Sequence, residues 1–230
     1  MTRISKDEKM YFYDRFAESF DKKMNMYDTN RRLEIIFDEI LTEDIRGKEL
    51  LDAGSGTGWF SKRAVERGAR VTSLDVGENI LAQVARKCNT RRVVGSVCEM
   101  EFRDSSFDFV VSTEVIEHTP DPRKAVREMH RVLKKDGVLV LTVPNKVWHF
   151  SISLANFLRL RPYEGYENWV GWSELRKWLE ESGFEILEYR GFHIVPFVLP
   201  FTYGALRRID RFGGSLGSLM LNIAVKARKR

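Results

Sequence analysis

The residues best suited to bind a ligand form a glycine-rich segment behind a short apolar run, Leu50-Leu51-Asp52-Ala53-Gly54-Ser55-Gly56-Thr57-Gly58. Glycine lets a backbone turn tightly and approach a ligand closely, because no Cβ stands in the way. Asp75 ends the next apolar run, and a carboxylate in that position can accept hydrogen bonds from both hydroxyls of a ribose. Together the two features predict a nucleoside-containing ligand at the carboxyl ends of two neighbouring strands.

The glycine spacing separates two classes of nucleotide-binding loop. Dinucleotide enzymes favour G-x-G-x-x-G, but here Trp59 occupies the third glycine position and the glycine comes one residue early. No arginine follows Asp75 directly, so a 2′-phosphate has no partner there. The spacing disfavours an NAD-dependent reductase, although a glycine loop can also be a plain strand-to-helix turn.

Proton transfer near neutral pH is the usual work of histidine, and the chain has four, His118, His130, His149 and His193. His118 is the predicted general base, because it follows a strand on the ligand side of the expected sheet. The alternative is a residue at a helix start that only hydrogen-bonds the backbone. His149 is the second candidate, because it follows the next strand.

The elements that must position these residues alternate between strand and helix over residues 50–143. This alternation predicts a parallel sheet with helices on both faces. Before it, residues 9–41 have helical periodicity, and after it Ser173 is the predicted N-cap of a helix that ends at Gly183. The predicted strands are 50–53, 69–74, 92–94, 107–112, 138–143, 184–189 and 219–227, and the other predicted helices are 59–67, 78–87, 121–133 and 148–161, with a turn at Asp136-Gly137.

Three further segments follow the glycine loop in a fixed order: Phe107-Asp108-Phe109-Val110-Val111-Ser112, Glu114-Val115-Ile116-Glu117-His118 and Leu133-Lys134-Lys135-Asp136-Gly137-Val138-Leu139. With the loop and Asp75 they resemble the class I S-adenosylmethionine-dependent methyltransferases, over residues 10–145 in particular. The resemblance implies a Rossmann-like, doubly wound, mostly parallel α/β sheet of seven strands. It also implies an antiparallel C-terminal strand and helical and aromatic lid insertions.

The resemblance implies roles for individual residues, with S-adenosylmethionine as cofactor and S-adenosylhomocysteine as product. Asp75 should bind the ribose, and Val76 should pack on the adenine. Family members often have aspartate where Ser96 stands, so recognition of the adenine amino group stays open. The methionine half would be held by Asp52, Ala53, Gly54, Ser55, Gly56 and Gly58, the adenine would be bordered by Val97 and Cys98, and Glu114 and Val115 would border the methionine moiety.

Glu114, Glu117 and His118 form an E-x-x-E-H pattern. In a helical turn these positions share one face, and two carboxylates with an imidazole could hold Mg²⁺. The pattern resembles the ubiquinone-pathway catechol O-methyltransferases, where such a trio is linked to a divalent metal, but it also occurs in metal-independent members. Metal binding is the weaker interpretation, and no metal ion is predicted.

The predicted organisation is an N-terminal helical lid over residues 1–46, a cofactor-binding core over 47–145, and a substrate-side insertion with C-terminal strands over 146–230. Aromatic residues in the lid and the insertion suit a flat or apolar acceptor. The predicted substrate residues are Tyr11, Tyr13, His149 and Tyr166. The predicted reaction is methyl transfer to the oxygen of a small, apolar or lipid-like acceptor. The alternatives are transfer to carbon or nitrogen and a non-catalytic cofactor-binding subunit.

The composition bounds the partners. The net charge is +5, yet residues 203–230 alone carry +6, so the remainder is close to neutral and no nucleic acid partner is expected. Two cysteines and the lack of an apolar leader predict a reduced, cytoplasmic protein. The apolar run Phe192–Phe201 beside Arg207, Arg208 and Arg211 suggests peripheral membrane contact through residues 192–211 and the basic C-terminus, or else a packed lid. The sequence predicts no particular oligomeric state.

Overall fold

The computed structural model of the protein describes residues 11, 13–23, 26–150, 167–194 and 203–230. A seven-stranded sheet organises them, with the strand order β3-β2-β1-β4-β5-β7-β6. The strands are β1 (Glu49–Ala53), β2 (Arg70–Asp75), β3 (Arg91–Val94), β4 (Phe107–Thr113), β5 (Leu133–Pro144), β6 (Phe184–Phe192) and β7 (Asn222–Lys229). Strands β1 to β5 pair in parallel, and β7 is antiparallel to both β5 and β6. The predicted Rossmann-like, mostly parallel seven-stranded sheet is confirmed.

Helices connect the strands and cover both faces of the sheet. They are α1 (Ala17–Lys23), α2 (Met26–Glu34), α3 (Trp59–Glu66), α4 (Glu78–Lys87), α5 (Pro122–Val132), α6 (Trp172–Glu181), α7 (Tyr203–Asp210) and α8 (Gly213–Leu216). A π-helical turn, Ile35–Ile40, continues α2. The central strands are buried from both sides, as expected of a parallel sheet between two helical layers.

Local signals set several element ends. Asp121 caps α5, because its carboxylate accepts a hydrogen bond from the Lys124 amide at 2.9 Å, and Pro122 occupies the first helical position. Gly68 follows α3 with a φ of 84°, a value that favours glycine. Both elements agree with the prediction from sequence.

The predicted turn at Asp136-Gly137 is wrong, because these residues lie within β5. Phe107 of β4 pairs with Leu133, whereas Phe109 pairs with Val138, so four residues of β5 bulge between the two pairs. Asp136 has a φ of 61° in this bulge.

The predicted start of α6 at Ser173 is also wrong. Gly171 is the N-cap, and the Glu174 side chain accepts a hydrogen bond from the Gly171 amide at 3.2 Å. The side chain at the third helical position therefore satisfies the N-cap amide, which is the half of a capping box that needs no side chain on the cap residue. Residues 151–161 of the predicted helix 148–161, and residues 162–166 of the aromatic loop after it, lie outside the described residues.

The C-terminal third differs most from its predicted arrangement. β6 continues to Phe192, and Phe192 and His193 are buried, so the beginning of the apolar run 192–201 belongs to the core. The basic residues of the C-terminus are separated from α7 by the length of β7, since Asn222 pairs with Pro144 and Arg228 with Val138. The basic residues of α7 and those at the C-terminus therefore lie at opposite ends of the strands and do not form one patch.

Two further observations concern the whole described chain. Both cysteines are free. Of the helices that can be described, none combines the length and apolar character that crossing a membrane requires.

Candidate active site

A cavity of about 380 Å³ opens at the carboxyl ends of β1, β2 and β4, where parallel α/β sheets bind ligands. The glycine loop after β1 forms one wall, and the residues after β4 form another. The N-terminal helices close the cavity from the opposite side through Tyr13, Phe20, Asp28, Thr29 and Arg32. The volume lies within the range of small-molecule sites, from roughly 300 to 1,000 Å³.

The glycine loop has a backbone that needs glycine at defined positions. Gly54, Gly56 and Gly58 have φ values of 82°, 51° and 92°. A Cβ on Gly54 would lie 2.4 Å from Cγ2 of Val115, so the loop also packs against the segment after β4. Gly54 and Val115 are thereby fixed to each other on the cavity wall.

Asp75 organises the loop from the end of β2. Its Oδ2 accepts a hydrogen bond from the Gly56 amide at 2.9 Å, and its Oδ1 accepts one from the Gly77 amide at 3.2 Å. Burial raises the pKa of Asp75, and the amides of Gly77 and Gly56 oppose that shift. The carboxylate lines the cavity and keeps lone pairs for further donors.

Asp52 lies beneath the loop and does not line the cavity. It is 1% exposed, and its Oδ2 accepts a hydrogen bond from the Ser61 hydroxyl at 2.5 Å. Ser61 Oγ lies 2.7 Å from Ser73 Oγ, which donates to Thr90 Oγ1 at 2.9 Å. Burial raises the pKa of Asp52 to about 7. The geometry gives Asp52 a supporting position under the loop.

A charged cluster that sequence reasoning missed lies opposite the loop. Arg32 of α2 lines the cavity, donates to Asp28, and has an Nη2 3.9 Å from the Glu114 carboxylate. Its buried Nε has no hydrogen-bond partner among the described residues. The spacing of Asp28 and Arg32, one helical turn apart, was the available signal, but it did not indicate which way that face points.

Glu114 directly follows β4 in a conformation that is rare for a residue with a side chain. Its φ is 54°, and its Oε1 accepts a hydrogen bond from the Thr142 hydroxyl at 3.1 Å. Positive φ values of non-glycine residues concentrate at functional sites. Burial raises the pKa of Glu114, while Arg32 opposes the shift.

His118 lines the cavity and contacts both the N-terminal segment and a buried acid. Its Nε2 lies 3.4 Å from the Tyr13 hydroxyl and 3.7 Å from Oε1 of Glu117. Neither carboxylate oxygen of Glu117 has a hydrogen-bond partner in the described part of the chain. Burial, and then the nearby Glu114 carboxylate, raise the pKa of Glu117 well above its usual range.

The E-x-x-E-H pattern does not form one helical face. Only residues Ile116–His118 are helical, as a single 3₁₀ turn, and Glu114 precedes it in its left-handed conformation. Within the described ranges, no group of three or more His, Cys, Asp or Glu side chains is arranged to hold a metal ion.

Hydrogen bonds join the N-terminal segment to the glycine loop and to the start of α4. Asp21 of α1 accepts hydrogen bonds from Thr57 Oγ1 at 2.5 Å and Trp59 Nε1 at 3.2 Å, and it pairs with Lys87 at 2.6 Å. Asp14 accepts a hydrogen bond from the Ile80 amide at 3.0 Å at the start of α4. These contacts hold the helices over the cavity, and local sequence patterns gave no sign of them.

Most of the residues predicted to bind cofactor or substrate line the cavity, and some do not. Lining the cavity are Gly54, Ser55, Gly56, Asp75, Val76, Val97, Glu114, Val115, His118 and Tyr13. Ala53, Gly58, Cys98 and Tyr11 are not among the lining residues. The Cys98 thiol donates to the Asp121 carbonyl, and Tyr11 is 41% exposed. His149 lines a second, shallower cavity with Trp169 and Glu167, and Tyr166 lies outside the described residues.

Comparison with known proteins gives consistent matches. Residues 51–141 match the methyltransferase domain family. Over 161 residues the chain is 33% identical to the ubiquinone biosynthesis O-methyltransferase of Pseudomonas aeruginosa, covering 64% of this chain and 68% of that protein. Over 197 residues it is 31% identical to a Mycolicibacterium smegmatis protein named as a probable S-adenosylmethionine-dependent methyltransferase, covering 85% of this chain and 71% of the relative.

Among solved structures, an S-adenosylmethionine-dependent methyltransferase from Thermotoga maritima matches with a TM-score of 0.69. The match covers 96% of this chain and 100% of the other, at 18% sequence identity. At that identity the likeness shows the fold alone.

Proposed function

Since the chain belongs to the class I S-adenosylmethionine-dependent methyltransferases, we propose that it methylates an oxygen atom of a small, apolar or lipid-like acceptor. The observation that carries this proposal is one cavity lined by the glycine loop, by Asp75 and by the His118 imidazole. Cofactor-binding groups and a candidate base therefore meet in a single space.

The cavity residues fit S-adenosylmethionine. Asp75 offers carboxylate lone pairs to the ribose hydroxyls, and Ser55 has a buried hydroxyl with no partner among the described residues. The unpartnered Nε of Arg32 suits the carboxylate of the methionine moiety, because a guanidinium binds carboxylates well. The surplus of acidic groups around Glu114 suits the positively charged half of the cofactor.

When bound, the cofactor would supply an activated methyl carbon: the acceptor oxygen would bond to it in line, the carbon–sulfur bond would break, and neutral S-adenosylhomocysteine would leave. The chain has two tasks in this reaction: to align the acceptor and to take its proton. His118 can accept the proton at Nε2, where the Tyr13 hydroxyl and the Glu117 carboxyl both approach. Tyr13 and Phe20, whose rings lie edge to face with centroids 5.3 Å apart, offer an aromatic wall to an apolar acceptor.

Oxygen as the methylated atom is supported by the presence of a candidate base in the cavity. The Pseudomonas aeruginosa relative is itself named an O-methyltransferase. Transfer to nitrogen or carbon is the runner-up, because an acid-rich cavity also accepts an amine. A non-catalytic cofactor-binding subunit would use the same loop and Asp75 without needing His118.

A radiolabelled methyl-transfer screen against quinol, lipid, sugar and amine acceptors tests the proposal, with every reaction repeated in the presence of a metal chelator. We expect transfer to a hydroxyl-bearing apolar acceptor that is insensitive to the chelator. Labelling of amines alone would overturn oxygen transfer, and loss of activity with the chelator would restore the metal interpretation of Glu114, Glu117 and His118. Binding of S-adenosylhomocysteine without any transfer would favour the subunit alternative.

A further inference from the structure

Exposed large apolar side chains are concentrated in two short segments of the described chain. Eight such side chains are exposed, and five of them lie within residues 147–150 and 212–219. Phe150, Phe212 and Leu219 are 63%, 59% and 60% exposed. We call the five side chains the apolar face: Val147, Phe150, Phe212, Leu216 and Leu219. Single exposed apolar residues are ordinary on a protein surface, but such a concentration marks an interaction site.

The two segments form one continuous surface. Trp148 Nε1 donates a hydrogen bond to the Leu219 carbonyl at 2.9 Å, and the Trp148 and Phe150 rings stack with centroids 5.6 Å apart. Asn145 Nδ2 donates to the Ser218 and Met220 carbonyls at 2.9 and 3.0 Å. The segments are therefore joined through side chains of one and backbone of the other.

Close glycine packing holds the second segment in place. A Cβ on Gly213 would lie 2.1 Å from the Gly191 carbonyl oxygen, and a Cβ on Gly217 would lie 2.4 Å from the Trp172 ring. Both glycines are buried against β6 and its surroundings. The backbone of the segment faces the protein, so Phe212, Leu216 and Leu219 are left on the outer side.

Unpaired positive charge borders the apolar face. Arg208, Arg211 and Lys146 are exposed, and none of them forms an ion pair with a described residue. The only acid between residues 203 and 221 is Asp210, which is 3% exposed and accepts a hydrogen bond from Arg31 Nε at 2.8 Å. On the side of residues 203–221 the border of the face is thus cationic, whereas Lys146 shares the second cavity with Glu167 and Glu174.

The apolar face lies at the carboxyl end of the parallel strands, the same end as the candidate active site. Residues 145–150 follow the carboxyl end of β5, and residues 212–221 lead into β7, whose Asn222 pairs with Pro144. The cavity also opens at the carboxyl ends of the parallel strands.

We propose that the apolar face docks on an anionic lipid bilayer, with Arg208, Arg211 and Lys146 at the level of the lipid headgroups. Exposed apolar side chains bordered by unpaired cations match the two components of such a surface, acyl chains and negative headgroups. A second copy of the chain fits less well, because a two-fold contact would bring the two cation groups together. The proposal goes beyond methyl transfer and does not depend on which acceptor is used.

Sedimentation with vesicles tests the proposal on the full chain, without acceptor. The wild type should bind phosphatidylglycerol–phosphatidylcholine vesicles at low salt at least tenfold more strongly than pure phosphatidylcholine vesicles. Leu219→Ser and the double variant Arg208→Glu/Arg211→Glu should each lower this binding by about tenfold. Val94→Ser is the matched control, because Val94 is 51% exposed on the edge strand β3, at the far end of the sheet order.

Several outcomes would overturn the proposal. They are absence of binding to anionic vesicles, equal binding of the wild type and the Leu219→Ser variant, and an equal loss in the Val94→Ser control. Concentration-dependent dimerisation that Leu219→Ser abolishes, without vesicle binding, would assign the face to a second copy. Retained S-adenosylhomocysteine binding by each variant shows that it is folded, so failure of docking is distinguishable from failure of the methyltransferase proposal.

Discussion

The Asp21 carboxylate accepts a hydrogen bond from the Thr57 hydroxyl at 2.5 Å, joining α1 to the middle of the glycine loop. Lys87 reinforces the contact, because its Nζ pairs with Asp21 at 2.6 Å and donates to the Thr57 carbonyl at 2.8 Å. Helix α1 and the glycine loop are thus held together. We expect a ligand beneath the helix to leave only when these contacts loosen.

Replacing Asp21 should therefore speed the release of product. Asp21→Ala removes the shared acceptor of Thr57, Trp59 and Lys87, and we expect dissociation of S-adenosylhomocysteine to become about tenfold faster. Stopped-flow fluorescence measures this rate. Glu18→Ala is the control, because Glu18 is on the same helix with an 83% exposed side chain. Equal dissociation rates in both variants would show that α1 does not retain the product.

Asp75 should determine cofactor affinity more than any other residue of the cavity. Asp75→Ala removes the acceptor of two loop amides and the proposed ribose contact, so we expect the Kd for S-adenosylhomocysteine to rise about 100-fold. Titration calorimetry measures the affinity, and the thermal midpoint reports the loss of loop structure separately. A normal affinity in the folded variant would rule out the ribose contact.

His118 should affect turnover and leave cofactor binding unchanged. If it is the base, His118→Ala should lower kcat about 100- to 10,000-fold with an unaltered Kd for S-adenosylhomocysteine. Tyr13→Phe keeps the ring and removes the hydroxyl near Nε2, so its effect on kcat should be smaller. Wild-type turnover by the His118→Ala variant would assign the histidine a structural role.

Stability should fall as the pH rises through the titration of Asp52. The pKa of Asp52 is raised to about 7 by burial, so the folded state favours the protonated carboxyl. Its stabilising contribution is complete below the pKa of the unfolded state and is lost as the pH rises towards 7. The loss is about 1.4 kcal/mol for each pH unit that separates the folded-state and unfolded-state pKa values. Asp52→Asn should flatten this dependence between about pH 4 and pH 7, the interval from the unfolded-state to the folded-state pKa.

Denaturant midpoints at the two pH values measure the effect of Asp52→Asn. Glu101→Gln is the control, because Glu101 is exposed and its neutralisation should leave the wild-type pH dependence in place. An equally steep dependence in the Asp52→Asn variant would show that another group is responsible.

The contact between Gly54 and Val115 predicts a partial rescue. Gly54→Ala should weaken cofactor binding, because the new Cβ overlaps with the valine side chain and the φ of 82° is unfavourable for alanine. Adding Val115→Ala removes the overlap but not the backbone strain, so we expect about half of the lost affinity to return. Full rescue would show that the backbone strain is negligible. No rescue would show that the overlap with the Val115 side chain is negligible.

Much of the fold follows from local signals in the sequence. Helix α4 has the predicted bounds, and the cap at Asp121 and the stop at Gly68 are where the residue types suggest. The β5 bulge was not predictable in the same way. Asp136-Gly137 is a turn signal by composition, and only the pairing with β4 decides that the chain continues as a strand.

The site was predictable where its residues stand next to strands. The glycine loop, Asp75 and His118 lie at or just after the carboxyl ends of strands. Parallel strands have these ends on one side of the sheet, so such residues come together there. The positions of the N-terminal helices depend on distant partners. Asp21 meets Thr57, 36 residues away, and Arg32 meets Glu114, 82 residues away. Helical periodicity shows which residues share a face of a helix, but it does not show which part of the protein that face packs against.

The position of β7 between β5 and β6 has a consequence for synthesis on the ribosome. Strand β6 is made before β7, yet β7 is its only neighbour among the described strands and follows 30 residues later. Until β7 has emerged, β6 and one edge of β5 have unpaired backbone groups. The carboxyl half of the sheet therefore assembles late, and the nascent chain exposes two strand edges that chaperones or neighbouring chains can bind meanwhile.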